Sequence, residues 1–325
     1  MIKKYDVIGI GNAIVDCLAY VDEDFLQQQQ MVRGSMQLIS AQQELELRTK
    51  LISPKLCSGG SVANTIAALA SLNVRTAFLG RVANDEVGAS FTADICAAGV
   101  YFAPTPATKG KPTACCIICV TPDGERTMNT FIGASSEFTV ADVKAEVIEQ
   151  SKILYLEGYL WDAEPAKEAI LQAIHIARDH GVKIAFSASD TFCVERHREE
   201  FLHLINEHVD VLFANEHEAK ALLQLENIED VAKRLAPKVD FIAITRGDKP
   251  AIIVHNQAIL SVAPVAEIKP VDATGAGDLF AAGFLHGILQ NCDAKKCAEL
   301  GHKLAGHIIQ QLGARSATPL PLLAA

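Results

Sequence analysis

Short β-branched or aromatic runs alternate with helical stretches along most of this chain, and that alternation limits the folds open to it. Strands are predicted at residues 5–10, 75–79, 153–156, 183–186, 209–213 and 241–245. Helices are predicted at 61–72, 85–98, 165–179, 194–207, 216–225 and 228–235. Strand, crossover helix and strand in series build a mainly parallel sheet with helices on both faces, an α/β/α sandwich of three layers. Two strands follow closely at 251–254 and 258–262, and helices at about 276–290 and 294–311 close the chain. Residues 14–39 and 100–131 break the pattern. They carry short apolar runs and turn signals such as Thr121-Pro122-Asp123-Gly124, and little helical periodicity. These segments are expected to pair into a small β-sheet lid, inserted in a core that otherwise takes up residues 1–325, over the strand ends where α/β sheets bind ligands. The tail from 317 to 325 is expected to be loosely held.

The totals exclude several classes. A net charge of −10 over 325 residues argues against nucleic acid as a partner. No apolar run approaches the roughly 18 residues needed to span a bilayer. The start, Met1-Ile2-Lys3-Lys4-Tyr5-Asp6, does not read as a signal peptide, so a cytoplasmic location is expected. Nine cysteines are scattered along the chain. Cys116 and Cys119 form a CxxC, but it lies in an apolar run at 114–120 that reads as a strand, so buried thiols are expected. An odd cysteine count fits a reducing compartment.

The most specific run is Asp272-Ala273-Thr274-Gly275-Ala276-Gly277-Asp278. A Gly-rich turn feeding a helix presents free N–H groups at the positive end of the helix dipole, an anion site. Asp278 falls in the first helical turn, where a carboxylate can take a proton from a hydroxyl while the N–H groups hold a phosphoryl group. The plainer reading is a capped turn. Gly9-Ile10-Gly11-Asn12-Ala13-Ile14 suggests a dinucleotide fingerprint and fails it at Ile14, which disfavours a dehydrogenase. Asn12 and Asp16 instead suit recognition of vicinal hydroxyls, against a turn Asn and a solvated Asp. Gly59 and Gly60 allow close approach of a ligand to the backbone, with Asn64 one turn into the next helix; a tight turn is the alternative. Asn215 and Glu218 share one side of a first helical turn. They could order the waters of Mg²⁺ or simply cap the helix. Thr245-Arg246-Gly247 at a strand end suits nucleotide phosphates and is weak alone.

Taken in order, these elements resemble the ribokinase family, the PfkB carbohydrate kinases. The resemblance covers nearly the whole chain and rests on Asn12 to Asp16, Gly59-Gly60 to Asn64, Asn215 to Glu218, Thr245 to Gly247 and Asp272 to Asp278. It implies a ribokinase-like sandwich with a β-lid, ATP as phosphoryl donor and Mg²⁺ as helper. Asp278 would be the general base toward a primary hydroxyl, with Gly275, Ala276 and Gly277 as the anion hole. Asn215, Thr245 and Gly247 would lie along ATP, together with Gly275 and Gly277. Glu218 and Asn215 would order Mg²⁺ through water. Asn12, Asp16, Gly59, Gly60 and Asn64 would hold the acceptor. Asp272 and Thr274 match positions that bind a monovalent cation, often K⁺. The stretches Gly11-Asn12-Ala13-Ile14-Val15-Asp16, Gly59-Gly60-Ser61-Val62-Ala63-Asn64 and 187–197 are nearest the adenosine-kinase-like branch. The acceptor stays open between adenosine, another nucleoside and a sugar such as ribose or fructose. A non-catalytic nucleoside- or sugar-binding protein is the reading from another class, and a monomer or a homodimer through the lid is expected.

Overall fold

The structure is a computed structural model that describes residues 3–266, 268–316, 318 and 320. Its strands are β1 (Tyr5–Ile10), β2 (Ile14–Tyr20), β3 (Met36–Leu38), β4 (Lys55–Gly59), β5 (Thr76–Leu79), β6 (Ala114–Val120), β7 (Arg126–Phe131), β8 (Ser151–Glu157), β9 (Lys183–Ser187), β10 (Val211–Asn215), β11 (Phe241–Arg246), β12 (Lys249–His255) and β13 (Ala258–Val262). Its α-helices are α1 (Glu23–Gln28), α2 (Ala41–Lys50), α3 (Ser61–Ser71), α4 (Glu86–Ala97), α5 (Ala145–Glu149), α6 (Glu164–Asp179), α7 (Thr191–Glu207), α8 (Glu216–Leu223), α9 (Ile228–Leu235), α10 (Ala276–Leu289) and α11 (Ala294–Ile308).

Eight strands form the large sheet, in the order β13-β12-β11-β10-β9-β8-β1-β5. The six from β11 to β5 are parallel, and β12 and β13 extend the sheet antiparallel. The central strands are covered on both sides, which is why runs such as Ile153-Leu154-Tyr155-Leu156 are apolar without alternation. One core packs α5 to α9 against one face, around Trp161, Phe186 and Phe201. The other packs α3, α4, α10 and α11 against the opposite face, around Phe78, Phe91, Phe213 and Phe284. Parallel strands end on a common edge, so the C-terminal ends of β1, β8, β10 and β11 share one rim, which carries Asn12, Glu157, Asn215 and Thr245.

The smaller sheet has the order β3-β7-β6-β2-β4. Four of its strands fall within the two segments expected to form it. The fifth, β4, comes from residues read as a loop. Lys55-Leu56-Cys57-Ser58-Gly59 is short and lacks alternation, and it is held as an edge strand by its antiparallel ladder to β2. Residues 100–107 belong elsewhere: bridges Ala77 to Tyr101 and Ala83 to Ala107 tie them to the rim of the large sheet. Cys116 and Cys119 both lie in β6, three residues apart and therefore on opposite faces. Cys119 packs with Cys17, Leu26 and Leu47 under α1 and α2, and Cys116 with Ile14 and Ile118. That geometry rules out a shared metal between them. All nine thiols are free. Of the tail from 317 onward, all but Thr318 and Leu320 lies outside the described residues. Among the described residues no helix is long and apolar enough to cross a membrane.

Helices α10 and α11 pack at glycines. A Cβ on Gly283 would lie 2.5 Å from the Leu300 carbonyl oxygen, and one on Gly301 would lie 2.9 Å from that of Phe280. The obstacle is backbone, which cannot rotate away. Helix propensity favours Gly283→Ala by about 1 kcal/mol, while overpacking of a tight interface opposes it by about 1–3 kcal/mol. Steric opposition is expected to win, so Gly283→Ala should lower the chemical denaturation midpoint. A raised midpoint would show that the helices separate at no cost.

Candidate active site

Most of the longer helices begin with an Asp, Asn or Ser whose side chain caps the first turn; α3 and α10 begin on glycine. Gly60 has φ 95° and Gly275 φ 77°, both in the left-handed region, and neither helix has a side-chain cap. A Cβ on Gly60 would come within 2.2 Å of the Asn12 carbonyl, and one on Gly275 within 2.6 Å of the Ala314 methyl. Both turns therefore need glycine. Among the described residues nothing in front of Gly277 lies within 4 Å of where a Cβ would stand, so the start of α10 is open to them. The Ala276 N–H is engaged within the turn, donating to the Ala273 carbonyl at 3.2 Å. Within the expected anion hole, that turn bond leaves Gly275 and Gly277 as the better donors to a ligand.

The two helix starts converge on Asp278. Its Oδ1 accepts from the Ser61 hydroxyl at 2.7 Å and its Oδ2 from the Asn64 amide at 2.9 Å. Thr65 Oγ1 donates to the Asp278 carbonyl at 3.0 Å. Burial pushes the Asp278 carboxyl above the ordinary carboxylate range, while Ser61, Asn64 and the Arg315 guanidinium pull it down. Among the described residues each carboxylate oxygen accepts one hydrogen bond. Asp278 is thus a held, desolvated carboxylate beside an uncapped helix end.

Sequence reasoning missed Glu157. It is 1% exposed and ends β8, accepting from the Asn12 backbone N–H at 2.8 Å, the Asn12 side-chain amide at 2.8 Å and the Val62 N–H at 2.9 Å. Glu157 thus supplies, from another element, the cap that α3 lacks. Burial outweighs these bonds and raises it to about 7. The only signal was an acidic residue at the C-terminal end of an apolar strand. Asn12 is consequently spent on Glu157 through its amide nitrogen, and its buried Oδ1 has no hydrogen-bond partner among the described residues.

Asp16 lies on β2, opposite Cys57 and Cys116. Gly59 lets it approach: a Cβ there would be 2.5 Å from Asp16 Oδ2. Among the described residues nothing donates a hydrogen bond to the Asp16 carboxylate. Burial raises it to about 7; Arg315 and Arg126 oppose that rise and Asp278 adds to it.

The remaining expected residues form two further groups. Asn215 and Glu218 make a reciprocal capping box at the start of α8: Asn215 N donates to Glu218 Oε2 and Glu218 N to Asn215 Oδ1, both at 2.9 Å, and the Asn215 amide also bonds Glu218 Oε1. Burial raises Glu218 to about 7. Thr245 pairs in register with Asn215, and Gly247 is exposed in the following turn at φ 64°. Nothing links this group to Asp278 by a hydrogen bond among the described residues. Asp272 accepts from Thr274 N (3.0 Å) and Oγ1 (2.7 Å) on Oδ1, and from Gly313 N (2.7 Å) on Oδ2. It also pairs with Arg126 of β7 at 2.6 Å, and Arg126 donates to Thr274 Oγ1 at 2.9 Å. Arg126, like Arg315, was not legible in the sequence. Among the described residues no cluster of three or more His, Cys, Asp or Glu side chains forms a metal cage.

The model of the pfkB family carbohydrate kinases matches residues 27–321. The chain belongs to that family. It is 43% identical to an adenosine kinase from Sinorhizobium meliloti of known structure, with a TM-score of 0.89 over 98% of this chain and 97% of that one. It is 41% identical to a probable sugar kinase protein from Rhizobium etli CFN 42, with a TM-score of 0.90 over 98% and 97%. Adenosine kinase 2 of Arabidopsis thaliana is 25% identical over 96% of each chain. These relatives place the chain in the adenosine-kinase-like branch of a ribokinase-like fold.

Asp16 offers a clean electrostatic test. Its folded value of about 7 exceeds the ordinary 3.8. The native state therefore binds more protons than the unfolded state between those values, and stability contributed through Asp16 falls as pH rises through that window. Asp16→Asn removes the slope. Relative to the parent chain, the variant should gain stability between pH 5 and pH 7 by up to about 1 kcal/mol per pH unit, read from denaturation midpoints. A constant difference across that range would mean that Asp16 titrates as an ordinary surface carboxylate.

Proposed function

We propose that this protein transfers the γ-phosphoryl group of ATP to a primary hydroxyl of a nucleoside, with adenosine as the favoured acceptor. The observation that carries the transfer is Asp278, held by Ser61 and Asn64 where two glycine-started helix N-termini meet. Phosphoryl transfer needs mostly positioning and charge neutralisation. Asp278 takes the proton of the acceptor hydroxyl as the oxygen attacks the γ-phosphorus and the bond to the ADP leaving oxygen breaks. Gly275 and Gly277 present N–H groups to the migrating phosphoryl oxygens. Asn215, Thr245 and Gly247, on the rim beyond, suit the nucleotide. Mg²⁺ would be held through its water shell by Glu218 and Asn215 and would neutralise phosphate charge. Asp272 and Thr274 are the residues a monovalent cation such as K⁺ would use, sharing Asp272 with Arg126.

The choice of a nucleoside over a bare sugar rests on the face of the smaller sheet that carries Asp16. Strand alternation puts Ile14 and Leu18 beside Asp16 on that face. Register adds Cys116 and Ile118 from β6 and Met128 from β7. An acceptor whose hydroxyls bond Asp16 therefore meets aliphatic side chains next to them. A nucleoside offers vicinal hydroxyls to the carboxylate and a flat base to the apolar surface, whereas a free sugar presents hydroxyls on all sides. The sheet would then act as a lid that keeps water from the phosphoryl group.

The test is ADP formation with MgATP and K⁺ against adenosine, inosine, guanosine, cytidine, ribose and fructose. Adenosine is expected to give the highest kcat/KM, by at least about tenfold over either sugar, since burying the apolar base is worth more than 1.4 kcal/mol. A sugar as the best acceptor would remove the nucleoside assignment and keep the transfer. Absence of turnover, together with tight nucleoside binding, would favour a non-catalytic binding protein.

A further inference from the structure

Arg315, in the segment after α11, reaches the reacting centre from the far end of the chain. Its Nε donates to Asn64 Oδ1 at 2.9 Å across 251 residues of sequence, and its buried Nη2 has no hydrogen-bond partner among the described residues. Asn64 in turn donates from Nδ2 to Asp278 Oδ2 at 2.9 Å. An amide has two ends of similar shape, and only one orientation puts its donor on the carboxylate. With Arg315 occupying the oxygen end, the flipped amide would set N–H against N–H on one side and oxygen against oxygen on the other.

The charge balance points the same way. Asp278 on α10 lies close enough to Asp16 on β2 and to Glu157 on β8 to raise the protonation of each. Tyr155 on β8 feels Asp278, and Arg126 on β7 acts on Asp16. Arg315 faces Asp16, Asp278, Asp94 of α4 and Cys57 of β4. Among the described residues it forms no ion pair with any of them. Burial lowers its own basicity, and its charge draws both Asp16 and Asp278 toward ionisation.

We propose that Arg315 is a positioning residue for phosphoryl transfer: it locks the Asn64 amide toward Asp278 and sets its positive charge beside Asp278 and Asp16. The inference rests on Asp278 as the base. Arginine suits the task because it stays charged when buried and its fork fixes direction, whereas lysine provides charge from a flexible stem.

The experiment compares the parent chain with Arg315→Met and Arg315→Lys, each first checked for a cooperative thermal transition. Carbon-13 NMR of labelled aspartate carboxyls, with Asp278→Asn identifying the Asp278 signal, reads its titration without any acceptor. Steady-state kinetics with MgATP and adenosine follow kcat against pH. Arg315→Met is expected to move the Asp278 titration up by about one pH unit. The acid limb of kcat should move with it, because the base works only when deprotonated. At the pH optimum kcat should fall about 10- to 100-fold, with KM for ATP changed less than about threefold. Arg315→Lys should return the titration toward the parent value while kcat stays low, since the charge is restored and the Asn64 bond is not. An unmoved Asp278 titration in Arg315→Met would overturn the proposal even if the variant were less stable. Substantial turnover in Asp278→Asn would instead remove the base assignment, and the NMR comparison would still report on the charge of Arg315.

Discussion

The bridge from Asp278 to Ser61 and Asn64 holds the site together. It ties the first turn of α10 to the first turn of α3 across 217 and 214 residues of sequence. A carboxylate taken out of water is destabilised by several kcal/mol unless hydrogen bonds and positive charge offset the loss. Here two donors, two helix N-termini and a nearby guanidinium provide the offset. The same groups that stabilise the charge also aim it. Glu157 repeats the device one strand away, tying the end of β1 to α3 through Asn12 and Val62.

Packing of the supporting elements explains why the bridge can form. The start of α10 is set by Gly275, which leaves room for Ala314, and its later turns are pinned by Gly283 and Gly301 against α11. The start of α3 is set by Gly60, pressed against the Asn12 carbonyl, and Gly9 makes room for Val62 and Ile66. These glycines act by removing a Cβ where backbones or side chains must touch. The helix N-termini then point into the space beyond the parallel strands, where a parallel sheet leaves its ends open. The smaller sheet grows directly out of β1 through β2, so the residue that would read the acceptor, Asp16, is only six positions beyond Ile10.

Local features were legible in the sequence and long-range ones were not. The alternation placed every strand of the large sheet within a few residues, because buried parallel strands and amphipathic helices leave periodic marks. Residues 272–278 and 59–64 announced their turns through closely spaced glycines. The edge strand β4 left no mark, since its stability comes from its ladder to β2. Helix α2 went unread because its residues are largely polar and it packs through few buried side chains, among them Leu47. Glu157, Arg126 and Arg315 were invisible as site residues. Each looks like an ordinary charged residue until the fold brings it beside partners 95 to 251 positions away. Asn215 and Glu218 show the opposite limit: the spacing was read correctly as one helical face, and the structure makes that pair a capping box whatever else it does.

The most direct test of the account is single-turnover transfer from MgATP to adenosine in Asp278→Asn, set beside calorimetric titration of MgATP into the same variant. Asparagine keeps the shape and can still bond Ser61 and Asn64, but it cannot take a proton. Nucleotide affinity should stay within about threefold while the transfer step slows by roughly 10²- to 10⁴-fold, the range a general base supplies. Transfer at near the parent rate with intact nucleotide binding would contradict the account, and would mean that the carboxylate at the meeting point of α3 and α10 is a structural bridge alone.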